Sequence, residues 1–368
     1  MHVGRKNGFI DVQKFIYAWL IVAFHFGNAT TDYLPGGASA VEFFVLTSGI
    51  FFFTGWEKKK QNIDEKTKIY YPLQFFKQRF LRFFPYTTIC FIPCFLGERI
   101  VKPLLQDGNI MVGQVAQNFS KDIWELLLVS MNGMNNNANL LNGPVWTISS
   151  MLLAEFIIIG ILVNSEKVFA TIVAPLTIIV GYGFWRHVES ADLTKWIGFT
   201  TFGTLRVFML TCIAYYLVLA INVMKDRSYT RLGQWILGGI ELLCHVCAIA
   251  MMACVNTRYF RWVATLVFSI AIVISLSNKA ITARWFKSNK ITNVMSALSM
   301  EIYLSHWLVL QAFKLKFSST EELFAQKGWF FLAVAVTGVL FHLFMKWFWK
   351  IWPMVKSAAK NTLYAENA

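Results

Sequence analysis

Apolar residues along the chain fall into long runs that are separated by short polar segments. Each run covers about 17–25 residues, the length that an α-helix needs to cross a hydrocarbon core of roughly 30 Å. A core helix of a soluble protein would instead have one polar face. We therefore predict an all-α polytopic membrane protein with about ten transmembrane helices. The predicted spans are residues 9–27, 40–56, 79–97, 145–163, 167–185, 203–224, 233–255, 260–276, 291–313 and 328–351.

The composition supports this prediction. Hydrophobic residues make up 56% of the 368 positions and charged residues only 15%, whereas a soluble domain has about 25% charged residues. A soluble globular domain is therefore excluded. The six cysteines all fall within predicted spans, and this position is typical of packing, so we expect no disulfide framework and no metal site.

The distribution of basic residues sets the orientation in the membrane. The chain carries a net charge of +14. The first loop, residues 28–39, contains no Lys or Arg, whereas residues 57–82 contain eight. Lys and Arg concentrate in cytoplasmic loops, so this asymmetry predicts that both termini are cytoplasmic. The lipid bilayer explains the positive charge, and no nucleic-acid partner is expected.

The spans follow one another without a soluble insertion, which predicts a single transmembrane domain at residues 1–351 and a basic cytoplasmic tail at 352–368. The longest break between spans is the outer loop 98–144. We predict a short interfacial helix at 122–131, followed by an Asn-rich stretch up to Asn142. Loops of this length within a compact protein are usually functional or disordered.

Ionisable side chains inside a bilayer are costly, so each one is a candidate for function. In the first span, Lys14 and His25 lie 11 residues apart, which places them on one helix face about 16 Å apart along the axis. A cation at the inner end and a base in the outer half would suit a long anionic ligand. The alternative is that Lys14 reaches to the membrane interface and His25 only packs.

Arg79 and Arg82 begin the third span and are helical neighbours, so both can address one anion. Arginine suits phosphate recognition, although basic residues also flank spans without any such role. Glu42 opens the second span, from where it could reach His25, fix the tautomer of the imidazole and raise its basicity.

Four further candidates lie in the outer half of the predicted bundle. Trp146 begins the fourth span, with Glu155 about 13 Å deeper on the same helix. His306 lies about two-thirds of the way along the ninth span, with Glu301 more than one turn below it. His245 and His342 have no obvious partner in the sequence, and we interpret both as structural.

Five segments, in this order along residues 8–350, resemble the membrane-bound acyltransferase-3 family, the bacterial O-acyltransferases of surface glycans. They are Gly8-Phe-Ile-Asp11-Val-Gln-Lys14 with His25, Val41-Glu42-Phe43-Phe44-Val45-Leu46-Thr47-Ser48-Gly49-Ile50, Arg79-Phe-Leu-Arg82-Phe-Phe-Pro85, Asn142-Gly-Pro144-Val-Trp146, and Ser299-Met-Glu301-Ile-Tyr303-Leu304-Ser-His306.

The resemblance implies transfer of an acyl group, usually acetyl, from cytoplasmic acyl-CoA to a hydroxyl of a glycan or glycolipid at the outer face. It implies that His25 is the catalytic base or relay, with Lys14 as its companion, and that Arg79, Arg82 and Lys14 bind acyl-CoA. His25 would either deprotonate the acceptor or carry the acyl group itself. We expect acceptor-side lining by Ser48, Trp146, Glu155, Glu301 and His306.

Acetyl-CoA would be a co-substrate, and no permanently bound cofactor is expected. The expected partners are the envelope glycan or glycolipid acceptor, the bilayer and glycan-assembly proteins, and the expected location is the bacterial cytoplasmic membrane. One departure concerns Glu155, because a common branch of the family carries its Glu five residues after the Trp, where this chain has Met151. The alternatives are a transporter or flippase for an anionic or glycolipid substrate, and a catalytically silent scaffold.

Overall fold

The computed structural model describes residues 7–31, 34–108, 110–127, 141–187, 199–254, 258–317 and 319–365. We name eleven helices within these residues. They are α1 (Gly8–Asn28), α2 (Ala40–Lys59), α3 (Tyr71–Leu96), α4 (Val112–Leu126), α5 (Val145–Asn164), α6 (Ala174–His187), α7 (Phe199–Asp226), α8 (Arg231–Cys254), α9 (Arg258–Ser277), α10 (Lys290–Lys316) and α11 (Lys327–Ala365).

Every predicted span falls on one of these helices, which confirms an all-α polytopic membrane protein. Eight helices of the described residues are long and apolar enough to cross a membrane. The other two predicted spans correspond to α9, whose described apolar part is Trp262–Ser277, and α10, a helix of 27 residues. The polar residues of α10, among them Glu301 and His306, distinguish it from the more apolar eight.

The third helix is longer than the predicted span 79–97. It begins at Tyr71, with Pro72 in its first turn, and continues through a π-helical turn at Gly97–Val101 into Lys102–Asp107. Gln74, Lys77 and Gln78 interrupt the apolar residues at the start of α3. The prediction from hydropathy alone therefore placed the beginning of this span too late. The first part of the outer loop 98–144 is therefore helical.

The interfacial helix was predicted ten residues too far along the chain. The observed helix α4 begins at Val112 rather than at residue 122 and ends at Leu126. Val115 and Leu126 share one side of α4 and pack against Phe91 and Phe95 of α3. The apolar residues of α4 recur on one face and form no continuous apolar run, so hydropathy did not reveal where this helix begins. Most of the Asn-rich stretch, residues 128–140, lies outside the described residues. At the other end of the chain, α11 continues to Ala365, and a boundary at residue 351 stays a prediction.

Helix α2 lies at the centre of the bundle. In the most apolar 18 residues of the segment that contains α2, 72% of the residues are buried inside the protein. In the segment that contains α6, the corresponding share is 17%. Gly49 permits close packing of α2 on α7, because a Cβ added there would lie 2.7 Å from the Cβ of Ala214. The central helices thus enclose polar groups, while α6, α8 and α11 present apolar side chains outward.

Helices α1 and α10 pack against each other over much of their length, and both have well-defined starts. The Asn7 side chain accepts a hydrogen bond from the Phe9 amide at 2.8 Å and caps α1. Asn289 and Thr292 form a reciprocal capping box at the start of α10. These caps satisfy backbone amides that the first turn of a helix leaves without partners. They fix the two helices that carry His25 and His306.

Candidate functional site

A cavity of about 990 Å³ opens at the end of the bundle that is predicted to face the cytoplasm. Its mouth lies between the start of α1 at Asn7 and the ends of α2 and α7 at Lys58 and Lys225. The lining includes five basic and four acidic residues. They are Lys14, Lys58, Arg79, Arg82, Lys225, Asp11, Glu57, Asp226 and Glu301.

The cavity follows α10 from Asn293 to Tyr303, a distance of about 15 Å at the helical rise of 1.5 Å per residue. Phe44 and Tyr303 line its deep end, with their ring centres 6.1 Å apart. His25 and His306 are not among the described residues that line it. The ring of His306 begins beyond this aromatic pair, 6.2 Å from the ring of Tyr303.

The structure brings His25 and His306 together. Their imidazole rings are stacked with centres 5.2 Å apart and planes inclined by 26°. The indole of Trp307 meets His25 edge to face, also at 5.2 Å. The sequence had placed both histidines in the outer half of separate spans. The packing of α1 on α10 turns these two candidates into one pair.

The hydrogen bond of His306 fixes which ring nitrogen carries its proton. Nδ1 lies 3.2 Å from the carbonyl oxygen of Ile302, and a carbonyl only accepts, so Nδ1 is the donor. In the neutral ring Nε2 is then a bare acceptor. His306 is fully buried, and no described residue donates to Nε2. This nitrogen is therefore available to a hydroxyl that enters beside His25.

Arg79 of α3 and Glu155 of α5 form a buried, two-point ion pair. The Nε of Arg79 donates to Oε2 of Glu155 at 2.7 Å, and its Nη2 donates to Oε1. The Ser48 hydroxyl lies 3.4 Å from Glu155 Oε1 and from Arg79 Nη2. Ser48 and Glu155 were expected on the acceptor side and Arg79 on the acyl-CoA side, and the structure joins all three.

Lys14 and Arg82 both line the cavity, in different surroundings. The Nζ of Lys14 lies 3.6 Å from Asp11 Oδ1, one turn away on α1, and 4.8 Å from the centre of the Phe51 ring. Arg82 is exposed to the cavity, and it has no hydrogen bond or ion pair with any described residue. Both residues thus line one cavity, and their binding of an anionic ligand stays a prediction.

Glu42, which we expected near His25, is fully buried and faces α7 and α9. Its Oε1 lies 3.8 Å from Nη1 of Arg206, and Thr265 donates to its Oε2 at 3.3 Å. The guanidinium of Arg206 also lies 5.5 Å from the ring centre of Trp146. Glu42 therefore compensates an intramembrane arginine, and its action on His25 stays a prediction.

Two histidines that lacked partners in the sequence have them in the structure. His342 of α11 pairs through Nδ1 with Glu301 Oε1 at 3.2 Å. The Nδ1 of His245 lies 2.6 Å from the hydroxyl of Tyr17. The Glu301–His342 pair borders the cavity, so sequence reasoning missed His342 as a neighbour of the site. The available signal was the intramembrane Glu301 itself, because a buried carboxylate needs a partner.

An outer clamp ties the start of α5 to α10, and we define it as Arg99, Asp122, Glu125 and Asn142. Arg99 Nε donates to Asp122 at 2.8 Å. The Glu125 carboxylate accepts the backbone amides of Leu141 at 2.9 Å and Asn142 at 2.7 Å. The Asn142 amide donates to the Leu304 carbonyl at 3.1 Å, two residues before His306.

Glu125 lies outside the membrane-spanning segments. Burial raises the pKa of Glu125 from 4.5 to about 7, even though the two backbone hydrogen bonds and Arg99 oppose this change. The desolvation of the charged form therefore outweighs its hydrogen bonds. The outer clamp is thus sensitive to protons near neutral pH.

The model of the acyltransferase-3 family, described as an acyltransferase domain, matches residues 7–347. The chain belongs to this family. The protein is therefore a membrane acyltransferase, and the cavity, the Arg79–Glu155 pair and the His25–His306 pair all lie within the matched region. No curated protein and no solved structure matches the chain.

Proposed function

We propose that this acyltransferase moves an acyl group, namely acetyl, from cytoplasmic acyl-CoA to a hydroxyl of a cell-surface polysaccharide or of its lipid-linked precursor. The observation that carries the proposal is the cavity that Lys14 and Arg82 line, which runs about 15 Å along α10 and ends one turn short of the His25–His306 pair. CoA is a polyanion with a long thin arm, so its phosphates would bind near the mouth while its thioester points inward.

The roles of the residues follow from their positions. Arg82 and Lys14 form the acyl-CoA side, next to the Arg79–Glu155 ion pair. His25 is the catalytic base, with His306 beside it on the acceptor side. Of the other residues expected on the acceptor side, Ser48 and Glu301 line the cavity, whereas Glu155 pairs with Arg79 and Trp146 lies against Arg206. The donor, the acceptor and the bacterial cytoplasmic membrane as location are parts of this proposal.

In the transfer step, His25 takes the proton of the acceptor hydroxyl while the hydroxyl oxygen attacks the thioester carbonyl carbon. The carbon–sulfur bond breaks, and the CoA thiolate leaves and receives the proton from the His25 imidazolium. In the second route, the His25 imidazole attacks the thioester carbonyl carbon, the carbon–sulfur bond breaks, and CoA leaves as the thiol with the imidazole proton. The acceptor hydroxyl oxygen then attacks the acyl carbon, the imidazole leaves, and it takes up the hydroxyl proton. A rapid release of free CoA without acceptor, limited to one equivalent of the protein, would identify the second route.

Phe44 and Tyr303 occupy the space between the cavity and the histidine pair. We propose that the thioester passes these two rings on its way to His25. Such a barrier also protects the thioester from water on the outer side, since closing a site before reaction prevents hydrolysis of reactive groups.

The test measures free-thiol release from acetyl-CoA by detergent-purified protein, with crude envelope glycan as acceptor. We expect acceptor-dependent release by the wild type and its loss in His25→Ala, which should still bind acetyl-CoA. His245→Gln is the matched control, because it changes another buried histidine, in the Tyr17 pair, outside the cavity. Release that persists in His25→Ala would remove His25 from the mechanism.

The transporter or flippase is the competing function, and a cavity open at one end would serve it as well. Covalent chemistry separates the two. A transporter that binds acetyl-CoA or a glycolipid releases no thiol and leaves the glycan unmodified. Thiol release without a new ester on the glycan would indicate hydrolysis and would contradict the proposed acceptor.

A further inference from the structure

We infer that Arg79 is a positioning residue, neutralised by its ion pair with Glu155, and that it is not a second ligand of acyl-CoA beside Arg82. The inference rests on the proposed function for its ligand. Sequence spacing alone treats both arginines as equivalent, because residues three apart share a helix face.

The contacts of Arg79 occupy one whole edge of its guanidinium. Nε and Nη2 both donate to the Glu155 carboxylate, and Ser48 lies beside the pair. The carboxylate is only 2% exposed. A two-point arginine–carboxylate pair is geometrically specific, and a carboxylate at this depth in α5 requires a cation nearby. Arg79 is therefore the counter-ion of Glu155, and the pair carries no net charge.

The surroundings of Arg82 are the opposite. Arg82 lines the same cavity, and it has no hydrogen bond or ion pair with any residue that the structure describes. Its charge is therefore uncompensated by direct contacts, and its donors are available to a ligand. An arginine fork of this kind matches the oxygens of a phosphate.

This difference predicts opposite behaviour when charges are removed. Arg79→Gln leaves Glu155 as an unpaired buried anion next to the phosphate site, so it should harm both folding and acyl-CoA binding. Replacing Glu155 with Gln as well removes that anion and should restore both. No second substitution in the Arg79–Glu155 pair should compensate for Arg82→Gln, because the lost contact is with the ligand itself.

The experiment is a double-variant cycle on Arg79→Gln, Glu155→Gln and the combined variant, with Arg82→Gln beside it. Arg227→Gln is the matched control, since Arg227 is exposed just after α7 and does not line the cavity. Two quantities are measured on detergent-purified protein: the apparent melting temperature without ligand, and the dissociation constant for acetyl-CoA.

We expect both single variants of the pair to melt below the wild type and the combined variant to recover most of the difference. The combined variant should bind acetyl-CoA within about threefold of the wild type. Arg82→Gln should melt normally and bind about tenfold or more weakly, the loss expected for a hydrogen bond to a charged group. If a neutral single variant does not purify, Arg79→Lys and Glu155→Asp keep the charges while changing the two-point geometry.

Two results would overturn the inference. A combined variant that binds acetyl-CoA as poorly as Arg79→Gln alone would show that Arg79 contacts the ligand. Unchanged affinity in Arg82→Gln would remove Arg82 from the phosphate site. If the wild type itself binds no acetyl-CoA, the proposed donor and the role of Arg82 both fall, whereas the melting temperatures still decide the Arg79–Glu155 pairing.

Discussion

The pH dependence of the outer clamp offers a quantitative test of the structure that needs no substrate. The perturbation is Glu125→Gln, which replaces a buried carboxyl by a neutral amide of similar shape. In the folded protein, burial raises the pKa of Glu125 from 4.5 to about 7. One pKa unit corresponds to about 1.36 kcal/mol, so the difference between the folded and unfolded chains amounts to about 3 kcal/mol.

The direction in which stability changes with pH depends on whether the folded or the unfolded chain holds the proton. Below pH 4.5 the carboxyl is protonated in both states, and its stabilising effect is fully present. Between pH 4.5 and about 7 the unfolded chain releases this proton while the folded protein still holds it, so stability falls as pH rises. Above about pH 7 both states are ionised and the dependence ends. The glutamine variant has no such transition.

The assay is unfolding of micelle-bound protein with increasing SDS, followed by tryptophan fluorescence between pH 4 and pH 8. Relative to the wild type, Glu125→Gln should gain about 3 kcal/mol of unfolding free energy across this range. Glu321→Gln is the control, because Glu321 is exposed in the short helix Thr320–Ala325. Parallel pH profiles for wild type and Glu125→Gln would refute the assignment of a buried, proton-binding Glu125.

Three further predictions concern packing and the deep end of the site. Gly49→Ala should destabilise the protein by about 1–3 kcal/mol, because the added methyl group would overpack against Ala214. Gly55→Ala in the same helix is the control, since a Cβ there meets no atom within 4 Å. Equal melting temperatures of the two variants would contradict the close α2–α7 contact. Tyr303→Phe should cost about 1–2 kcal/mol, measured by SDS unfolding, because its hydroxyl donates to the Pro144 carbonyl at 2.9 Å. His306→Asn should lower the turnover number while the acetyl-CoA dissociation constant stays unchanged, and a normal turnover number would exclude contact between His306 and the acceptor.

Much of the architecture could be read from the sequence because membrane crossing is a one-dimensional constraint. A span needs a certain length of apolar residues, and the chain shows such lengths directly. The prediction of helix boundaries was wrong where a helix does not consist of a continuous apolar run. Gln74, Lys77 and Gln78 interrupt the apolar residues in the first two turns of α3, and α4 is amphipathic, so the starts of both helices were predicted too late.

Less of the candidate site than of the architecture could be predicted from the sequence. Lys14 and Arg82 lie toward the inner ends of their helices, and both line the cavity. Their binding of one ligand stays a prediction. The partners across helices were not predictable. Glu155 was assigned by its depth along α5, but depth does not reveal that this face of α5 meets Arg79 of α3.

The sequence by itself determined the membrane-spanning helices, the acyltransferase-3 motifs and the concentration of basic residues in the loops that are predicted to lie on one side of the membrane. Only the tertiary structure decided which polar side chains meet: His25 with His306, Arg79 with Glu155, and Glu301 with His342. The physical reason is that a buried charge or donor in a bilayer must find a partner, while the identity of that partner depends on which helices are neighbours and how each is rotated. Helix packing fixes both, and no spacing along a single helix encodes them.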